Sequence, residues 1–240
     1  MVMIDRIDQS TQDSLNTKSS NNSVLSNTMD WISDTATFAI QFFRTPKTLG
    51  TPVICSPFVS AHLLKYVKTE GPARDYVEVG AGTGAITRHL VKLLRPEDHL
   101  DVVEIDPTLS SVLRKNYGHL PNVSIHNKPV QEWIPSNNKK FDAVISTVPL
   151  NSLPSAQVLN DIFKSYVKLL KPNGVISSLE YVGTSTLSKT FYFGKTKEKF
   201  DAIFTLKNDF FKKYSFERSI VFANLPPARI THCRIPTQNK

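Results

Sequence analysis

The sequence has few cysteines and no long apolar run, and both shortages exclude classes of protein. Its 2 cysteines in 240 residues, Cys55 and Cys233, form no CxxC or Cys/His pattern, which excludes a disulfide scaffold and a structural zinc site. No apolar run approaches the roughly 18 residues that a membrane-spanning helix needs. Asp5 and Asp8 interrupt the start of the chain, so no secretory signal is expected. We therefore expect a soluble protein of the cytoplasm.

Potential metal ligands are also few and scattered. None of the 6 histidines stands at a spacing typical of metal ligands, so we expect no bound metal. All of them are expected to be structural or to lie at the surface: His62, His89, His99, His119, His126 and His232.

Positive charge is concentrated in the last quarter of the sequence. The net charge is +8, and residues 186–240 alone contain 11 Lys or Arg against 4 acids. This asymmetry favours an anionic partner, either RNA or an anionic phospholipid membrane surface. The alternative is a solvated basic face without a partner.

Composition and periodicity divide the chain into three segments. Residues 1–29 are rich in Ser, Asn, Thr and Gln, which predicts a flexible tail. Residues 30–68 are expected to hold N-terminal helices, and residues 69–240 an α/β domain. The first of these helices either packs on the domain or lies in a membrane interface. Its apolar side chains share one helical face: Trp31, Ile32, Phe38, Ala39, Phe42 and Phe43.

Strand and helix patterns alternate through the α/β domain. Such alternation predicts a mostly parallel sheet with helices on both faces and ligands at the carboxyl edge of the strands. The last two strands are expected to form an antiparallel hairpin joined at Asn224–Pro227. The predicted strands are 75–80, 100–106, 122–126, 141–147 and 175–182, followed by the hairpin. The predicted helices are 57–68, 84–94, 108–118, 155–171 and 196–212.

A glycine-rich turn between the first strand and the next helix carries the clearest chemical signal. The turn runs from Glu78 to Gly84 with the spacing ExGxGxG, and Glu104 ends the second strand. Glycines let a ligand approach main-chain amides, and an acid at that second position accepts hydrogen bonds from ribose hydroxyls. Together they predict a nucleoside cofactor. An acid beside the loop suits a cationic ligand better than a pyrophosphate.

This stretch resembles the first motif of class I S-adenosylmethionine-dependent methyltransferases. The resemblance covers about residues 45–235 and implies a Rossmann-like, seven-stranded sheet with an antiparallel C-terminal hairpin, so residues 69–240 would be a catalytic domain. It implies S-adenosyl-L-methionine as the cofactor. By the same resemblance, the cofactor-binding residues are Glu78, Gly80, Ala81, Gly82, Gly84, Glu104, Ile105 and Ser146.

The end of the fourth strand separates two branches of that superfamily. Enzymes that methylate base amines usually have an aromatic residue after the proline, and ribosomal RNA adenine dimethyltransferases have Asn-Leu-Pro-Tyr. Here Ser146 takes the polar place, Pro149 is kept, and Leu150 replaces the aromatic ring. The segment is more similar to that of bacterial phospholipid N-methyltransferases. That resemblance implies N-methylation of a phosphatidylethanolamine-type head group by a peripheral enzyme on the inner face of the membrane, and an RNA adenine N6-methyltransferase is the alternative.

On the acceptor side, the expected catalytic residues are Ser146, Pro149, Glu180 and Tyr181. Glu180 and Tyr181 stand at the end of the fifth strand, where they are candidates for binding the ammonium group or relaying its proton. No second subunit is implied, and we expect a monomer.

One departure from the family lies after the third strand. The family usually has an Asp there that meets the adenine amino group, whereas this chain has Asn127 and Lys128. Asn127, Gln131 or a backbone carbonyl are candidate substitutes. The departure also motivates a third hypothesis, in which the chain is a lipid- or RNA-binding adaptor that has kept only the cofactor fold.

Overall fold

The strands build one mixed sheet in the order β3-β2-β1-β4-β5-β7-β6. This is a computed structural model, and it describes residues 55–133, 135, 138–182, 195–224 and 226–236. Strands β1 to β5 run parallel to one another, whereas β7 is antiparallel to both β5 and β6. The predicted sheet with its antiparallel C-terminal hairpin is therefore confirmed. The strands are β1 Asp75–Val79, β2 His99–Val103, β3 Val123–His126, β4 Phe141–Ser146, β5 Leu170–Tyr181, β6 Ser215–Val221 and β7 Ala228–Arg234.

Helices cover both faces of the sheet, as the alternating pattern predicts. One apolar layer joins a face of the sheet to α1, α2 and α3, and the other joins the opposite face to α4 and α5. Consecutive strand residues alternate between these layers, so each face buries its own row of aliphatic side chains. The helices are α1 Pro57–Leu63, α2 Thr87–Leu90, α3 Pro107–Tyr117, α4 Ala156–Leu169 and α5 Lys195–Tyr214.

Side-chain caps explain where three of these helices begin. The side chain of Ser56 accepts a hydrogen bond from the Val59 amide at 3.3 Å, and the helix starts at a proline. Asp106 accepts one from Leu109 at 2.9 Å. Ser155 caps α4 in the same way. Each cap satisfies an amide that has no partner within its own helix.

Three predicted boundaries were wrong. The helix expected over 57–68 ends at Leu63, since Lys65 and Tyr66 beyond it both bond to Glu217 of β6. The helix expected over 84–94 shrinks to α2, because Gly84 has a φ of +87°, which a helix does not accept. Strand β5 begins at Leu170 rather than 175, and its register shifts before Val175.

The predictions for the start of the chain cannot be compared with the fold. The flexible tail of residues 1–29 and the amphipathic segment of residues 30–46 lie outside the described residues. Within the described part of the chain, no helix is both long enough and apolar enough to cross a bilayer.

Candidate active site at the carboxyl edge of the sheet

The glycine-rich turn after β1 is shaped by backbone conformations that favour glycine. Gly80, Gly82 and Gly84 all have positive φ, between +59° and +87°. A Cβ at Gly80 would lie 2.9 Å from Cγ2 of Val148, in the loop after β4. The turn therefore lies so close to the loop after β4 that a side chain at Gly80 would not fit. Ala81, which the sequence places in the same turn, is buried beside the α2 layer.

Glu104 ties this turn to the end of β2. Its Oε2 accepts a hydrogen bond from the amide of Gly82 at 2.7 Å, and its Oε1 accepts one from the amide of Asp106 at 2.9 Å. Burial raises the pKa of this carboxyl, although the backbone hydrogen bonds oppose the shift. A carboxylate oxygen has two lone-pair sites, so each oxygen retains acceptor capacity for a ribose hydroxyl.

Glu78 places a second acid beneath the same turn. It is fully buried, and its Oε2 accepts a hydrogen bond from the Thr87 hydroxyl at 2.7 Å. Its Oε1 has no hydrogen-bond partner among the described residues. Burial raises the pKa of Glu78 from 4.5 to about 7, and the nearby charge of Glu104 adds to the shift. Two carboxyls at one turn fit a cationic ligand and disfavour a pyrophosphate.

Asn127 supports the loop that carries Glu104. Its side-chain amide donates to the carbonyls of Glu104 and Ile105, each at 2.9 Å. Both donor bonds go to the chain itself, so Asn127 positions this loop, and only its carbonyl oxygen remains for a ligand. Lys128 is exposed and Gln131 is half-buried. The sequence identified Asn127 as a candidate ligand contact, not as a support for the Glu104 loop.

The end of β4 contacts the glycine turn through a residue that the sequence analysis missed. The Thr147 hydroxyl donates to the carbonyl of Gly80 at 2.6 Å, and the Thr147 amide donates to Val79 at 3.1 Å. Ser146, one residue earlier, points the other way: its hydroxyl lies 2.8 Å from the buried Tyr166 hydroxyl. Burial raises the pKa of Tyr166, so that phenol remains protonated.

The residues after Ser146 turn into the core. Pro149 is half-buried and starts a short turn of 3₁₀ helix, Leu150–Ser152. The Leu150 side chain is only 1% exposed and packs in the layer beneath α4. The position where base-methylating relatives carry a stacking ring is therefore occupied by a buried aliphatic side chain.

A buried ion pair joins the end of β5 to α5. The ammonium of Lys207, 3% exposed, donates to Glu180, which is itself buried, and to Oδ1 of Asn151 at 2.5 Å. Glu180 is thus held by a lysine, whereas the sequence presented it as a carboxylate for the acceptor. Lys207 was missed, although a signal existed: it lies on the apolar face of α5, four residues after Ile203 and three before Phe210.

Tyr181 and the start of α1 lie at the same edge. Tyr181 is half-buried, and burial raises the pKa of its phenol. The carbonyl of Cys55 accepts a hydrogen bond from the Arg88 guanidinium at 3.3 Å, and the amide of Ser56 donates to Asn224 at 3.0 Å. The chain entering α1 therefore crosses from the glycine-loop side to the β6–β7 loop. In the described residues, no three His, Cys, Asp or Glu side chains are arranged to hold a metal.

Comparisons of sequence agree with this arrangement. A family model described as "Methyltransferase domain" matches residues 77–174. An ornithine lipid N-methyltransferase of Singulisphaera acidiphila is 25% identical over 203 residues, which cover 82% of this chain and 94% of that protein. A tRNA1(Val) (adenine(37)-N6)-methyltransferase of Citrobacter koseri is 26% identical over 76 residues, only 30% of this chain and 31% of that protein.

Solved structures show the same fold. The N-methyltransferase NodS from Bradyrhizobium japonicum, in complex with S-adenosyl-L-homocysteine, has a TM-score of 0.54 at 16% identity over 75% of this chain and 89% of NodS. An O-methyltransferase from Bacillus cereus has a TM-score of 0.55 at 14% identity, covering 95% and 97%. The chain is a class I S-adenosylmethionine-dependent methyltransferase. Its cofactor is S-adenosyl-L-methionine.

The residues of the glycine turn fit this cofactor. The chemistry that it supplies is a methyl group on a positively charged sulfur, open to attack by a nucleophile. Glu104 offers carboxyl oxygens at the turn, and the positive φ values leave space for a ligand beside the backbone. The carboxyl group of Glu104 lies at the turn, where a ligand can contact it, whereas that of Glu78 lies beneath the turn. We therefore assign ribose binding to Glu104 and electrostatic support to Glu78.

Proposed function

We propose that this enzyme transfers methyl groups to the primary amine of a membrane lipid head group, of the phosphatidylethanolamine type. The similarity to an ornithine lipid N-methyltransferase carries this proposal, because it extends over 94% of that protein rather than over the cofactor-binding half alone. Both head groups present a primary amine on a lipid, so one acceptor chemistry serves either substrate.

The acceptor side of the site supports an alkyl amine rather than a nucleobase. Enzymes that methylate base amines usually stack the flipped base on an aromatic ring, whereas the residue at the corresponding place in this sequence, Leu150, is aliphatic and buried. An alkyl amine needs only a position in line with the methyl group and the loss of one proton. In the reaction the head-group ammonium would release one proton to water, and the amine lone pair would then form the N–C bond as the C–S bond of the cofactor breaks. The products would be S-adenosyl-L-homocysteine and the methylated ammonium ion.

The ion pair of Lys207 and Glu180 suits this proton loss. A lone carboxylate would stabilise the acceptor as an ammonium ion, which has no lone pair with which to attack. Because Lys207 neutralises Glu180, the end of β5 presents no uncompensated negative charge from this residue. We assign Glu180, Tyr181 and Pro149 to the wall of the acceptor site. Ser146, whose hydroxyl faces Tyr166, supports that wall from behind.

The experiment is a transfer assay with radiolabelled S-adenosylmethionine and the full-length protein. The acceptors are vesicles containing phosphatidylethanolamine, vesicles containing ornithine lipid, and deproteinised RNA. We expect label in the lipid fraction, and the two vesicle arms show which head group is used. Label in RNA alone would overturn the proposal. A Glu104→Gln variant is the control, since it removes the charge that binds ribose while preserving the shape of the side chain.

RNA adenine methylation is the second candidate, and two observations favour it. The local similarity to a tRNA adenine methyltransferase covers 76 residues, and the last quarter of the chain is strongly basic. The third hypothesis, an adaptor without activity, is separated by Glu104→Ala. An adaptor retains its biological effect in this variant, whereas an enzyme loses it.

For location, we propose the cytoplasmic face of the membrane. On the basis of the sequence, we propose that the amphipathic segment of residues 30–46 anchors the enzyme to the membrane. Its helical periodicity puts the aromatic residues on one face, and Arg44 and Lys47 follow them. Deleting residues 31–44 is expected to release the enzyme from anionic vesicles. Methylation of a lipid dispersed in detergent should survive the deletion. Retention on the vesicles would locate the membrane contact elsewhere.

A further inference from the structure

The loop after β4 is held at both ends by hydrogen bonds to other elements. At its start, the Thr147 hydroxyl donates to the carbonyl of Gly80 in the glycine turn at 2.6 Å. At its end, Oδ1 of Asn151 accepts a hydrogen bond from the Lys207 ammonium of α5 at 2.5 Å. We call residues 147–152 the bridging loop, because they connect the glycine turn to α5.

Lys207 bonds to the bridging loop and to the end of β5 through one nitrogen atom. The same ammonium donates to Glu180, and Lys207 is only 3% exposed. The ring of Phe204, on the same face of α5, has its centroid 5.4 Å from the ammonium. A buried ammonium is costly without its partners, so the nitrogen is expected to keep both of them. The bridging loop and the end of β5 are therefore fixed relative to each other.

The bridging loop carries part of the proposed acceptor wall. Pro149 lies in the middle of the loop, and the buried Leu150 beside it packs in the layer beneath α4. The Ser152 amide donates to the carbonyl of Pro149 at 2.8 Å. The loop is thus a compact turn, and a movement of Asn151 would displace Pro149 with it.

This arrangement bears directly on methyl transfer. The glycine turn, where we place the cofactor, lies at one end of the bridging loop, and the acceptor wall lies at the other. Transfer requires the attacking atom in line with the methyl group at about 3–3.5 Å, and a displacement of about 1 Å can cost roughly a hundredfold in rate. The distance between the two reactants therefore depends on the residues that hold the ends of this loop.

We propose that Lys207 is a positioning residue for methyl transfer: through Asn151 and Glu180 it sets the distance between the acceptor wall and the glycine turn. An ion pair kept for stability alone would not need the amide of Asn151 as a third member, and an apolar pair often stabilises a core as well. The proposal rests on the assignment of the acceptor wall above. It applies to a lipid amine and to a base amine alike, so it does not require the lipid function.

Asn151→Leu removes the hydrogen bond to the bridging loop and leaves the ion pair of Lys207 and Glu180 in place. The assay uses full-length protein, radiolabelled S-adenosylmethionine and detergent-dispersed phosphatidylethanolamine, or deproteinised RNA if wild type labels RNA instead. We expect kcat to fall by roughly tenfold to a hundredfold, because the wall is displaced. Calorimetric binding of S-adenosylhomocysteine should be unchanged, since the glycine turn is intact. The matched control is Asn208→Leu, exposed on the same helix, which should keep the wild-type kcat. A wild-type kcat in Asn151→Leu would overturn the proposal.

A mutant cycle tests whether Lys207 acts through Asn151. Lys207→Met with Glu180→Met removes both charges together, so no buried ion is left unpaired. Adding Asn151→Leu to this pair should lower kcat no further, because the bond to Asn151 is already lost. If the two losses multiply instead, Lys207 does not act through Asn151 and the proposal is wrong.

Hydrogen exchange followed by mass spectrometry tests the positioning without any acceptor. In the paired methionine variant, peptides that contain residues 147–152 should exchange at least about tenfold faster than in wild type, because the loop has lost one of its two attachments. The peptide that contains the glycine turn should exchange as in wild type. Unchanged exchange in the bridging loop contradicts the positioning role, whatever the acceptor is. If wild type labels no lipid while the loop exchanges faster in the variant, the positioning inference stands and the lipid function fails.

Discussion

The carboxyl edge of the sheet has a cofactor half at the glycine turn and an acceptor half at the end of β5. The two halves stabilise their buried carboxyl groups in different ways. On the cofactor half, Glu78 and Glu104 are buried without a cation, and their carboxyls rely on a hydroxyl and backbone amides. On the acceptor half, Glu180 is buried against Lys207. The first half offers two carboxyls without a cationic partner among the described residues, which suits a cationic cofactor. In the second half the charge of Glu180 is balanced by Lys207, which suits an acceptor that must attack as a free amine. The same residue type thus serves two purposes according to its partner.

The largest effect is expected where a charge would be left unpaired. Lys207→Met should destabilise the fold by about 3–5 kcal/mol, because Glu180 would then be buried without its partner. Urea unfolding measures this loss. Lys212→Met, on an exposed turn of the same helix, is the matched control and should change stability by less than about 0.5 kcal/mol. Adding Glu180→Met to Lys207→Met should restore most of the loss. If the double variant remains as unstable as Lys207→Met, the broken ion pair is not the cause of the lost stability.

The cofactor half should make the stability of the protein depend on pH. Since the pKa of Glu78 rises from 4.5 unfolded to about 7 folded, the native state holds a proton that the unfolded state has lost. The contribution of Glu78 to stability should therefore fall as pH rises from about 4.5 to 7, by about 3 kcal/mol at most. Glu78→Gln should remove this slope and make the protein more stable at pH 8 than the wild type. Urea midpoints at pH 5 and pH 8 measure it, and an unchanged slope in the variant would contradict the assignment.

Glu104→Gln should act on the cofactor more than on the fold. Its carboxylate is the proposed acceptor for ribose, and a charged hydrogen bond is worth about 1.5–3 kcal/mol, so affinity for S-adenosylhomocysteine should fall roughly tenfold to a hundredfold. Calorimetric titration measures the change. Asp101→Asn, on the same strand but directed at His126, is the control and should bind the cofactor product normally. Equal losses in the two variants would mean that Glu104 acts only through the fold.

The smallest effect distinguishes two roles for Ser146. If it only supports the wall, Ser146→Ala should cost about 1 kcal/mol of stability, as one buried hydrogen bond does, and Tyr166→Phe should cost a similar amount. Turnover should then be nearly unchanged in both. A much larger loss of kcat in Ser146→Ala than in Tyr166→Phe would return Ser146 to the catalytic residues that the sequence suggested.

Much of the fold followed from local pattern. The strand–helix alternation predicted the sheet and its final hairpin, and Ser56, Asp106 and Ser155 act as helix caps. The errors lie where contacts distant in sequence override local preference. Helix α1 ends early because Lys65 and Tyr66 reach Glu217, about 150 residues away. No periodicity in residues 57–68 contains that information.

The candidate site also combines features that the sequence alone predicts with contacts that only the fold creates. Glycine spacing and the acid at the end of β2 are local features, so the sequence alone predicts the glycine turn and its neighbouring acid. The contacts of Glu180 with Lys207, of Ser146 with Tyr166, and of Thr147 with Gly80 join separate elements. Such contacts depend on which helix covers which strand. Tertiary packing determines this arrangement, and the spacing of residues along the sequence does not reveal it.

The sequence by itself determined the class of fold and the position of the glycine turn, because backbone conformation and hydrophobic periodicity are properties of short segments. The resemblance of that turn to a known motif indicated the cofactor. Only the tertiary structure decided that Glu180 is paired with Lys207, that Leu150 is buried, and that Phe58 and Phe222 are exposed. Burial and pairing are properties of what surrounds a side chain. In this protein the surroundings come from strands and helices far apart in the chain.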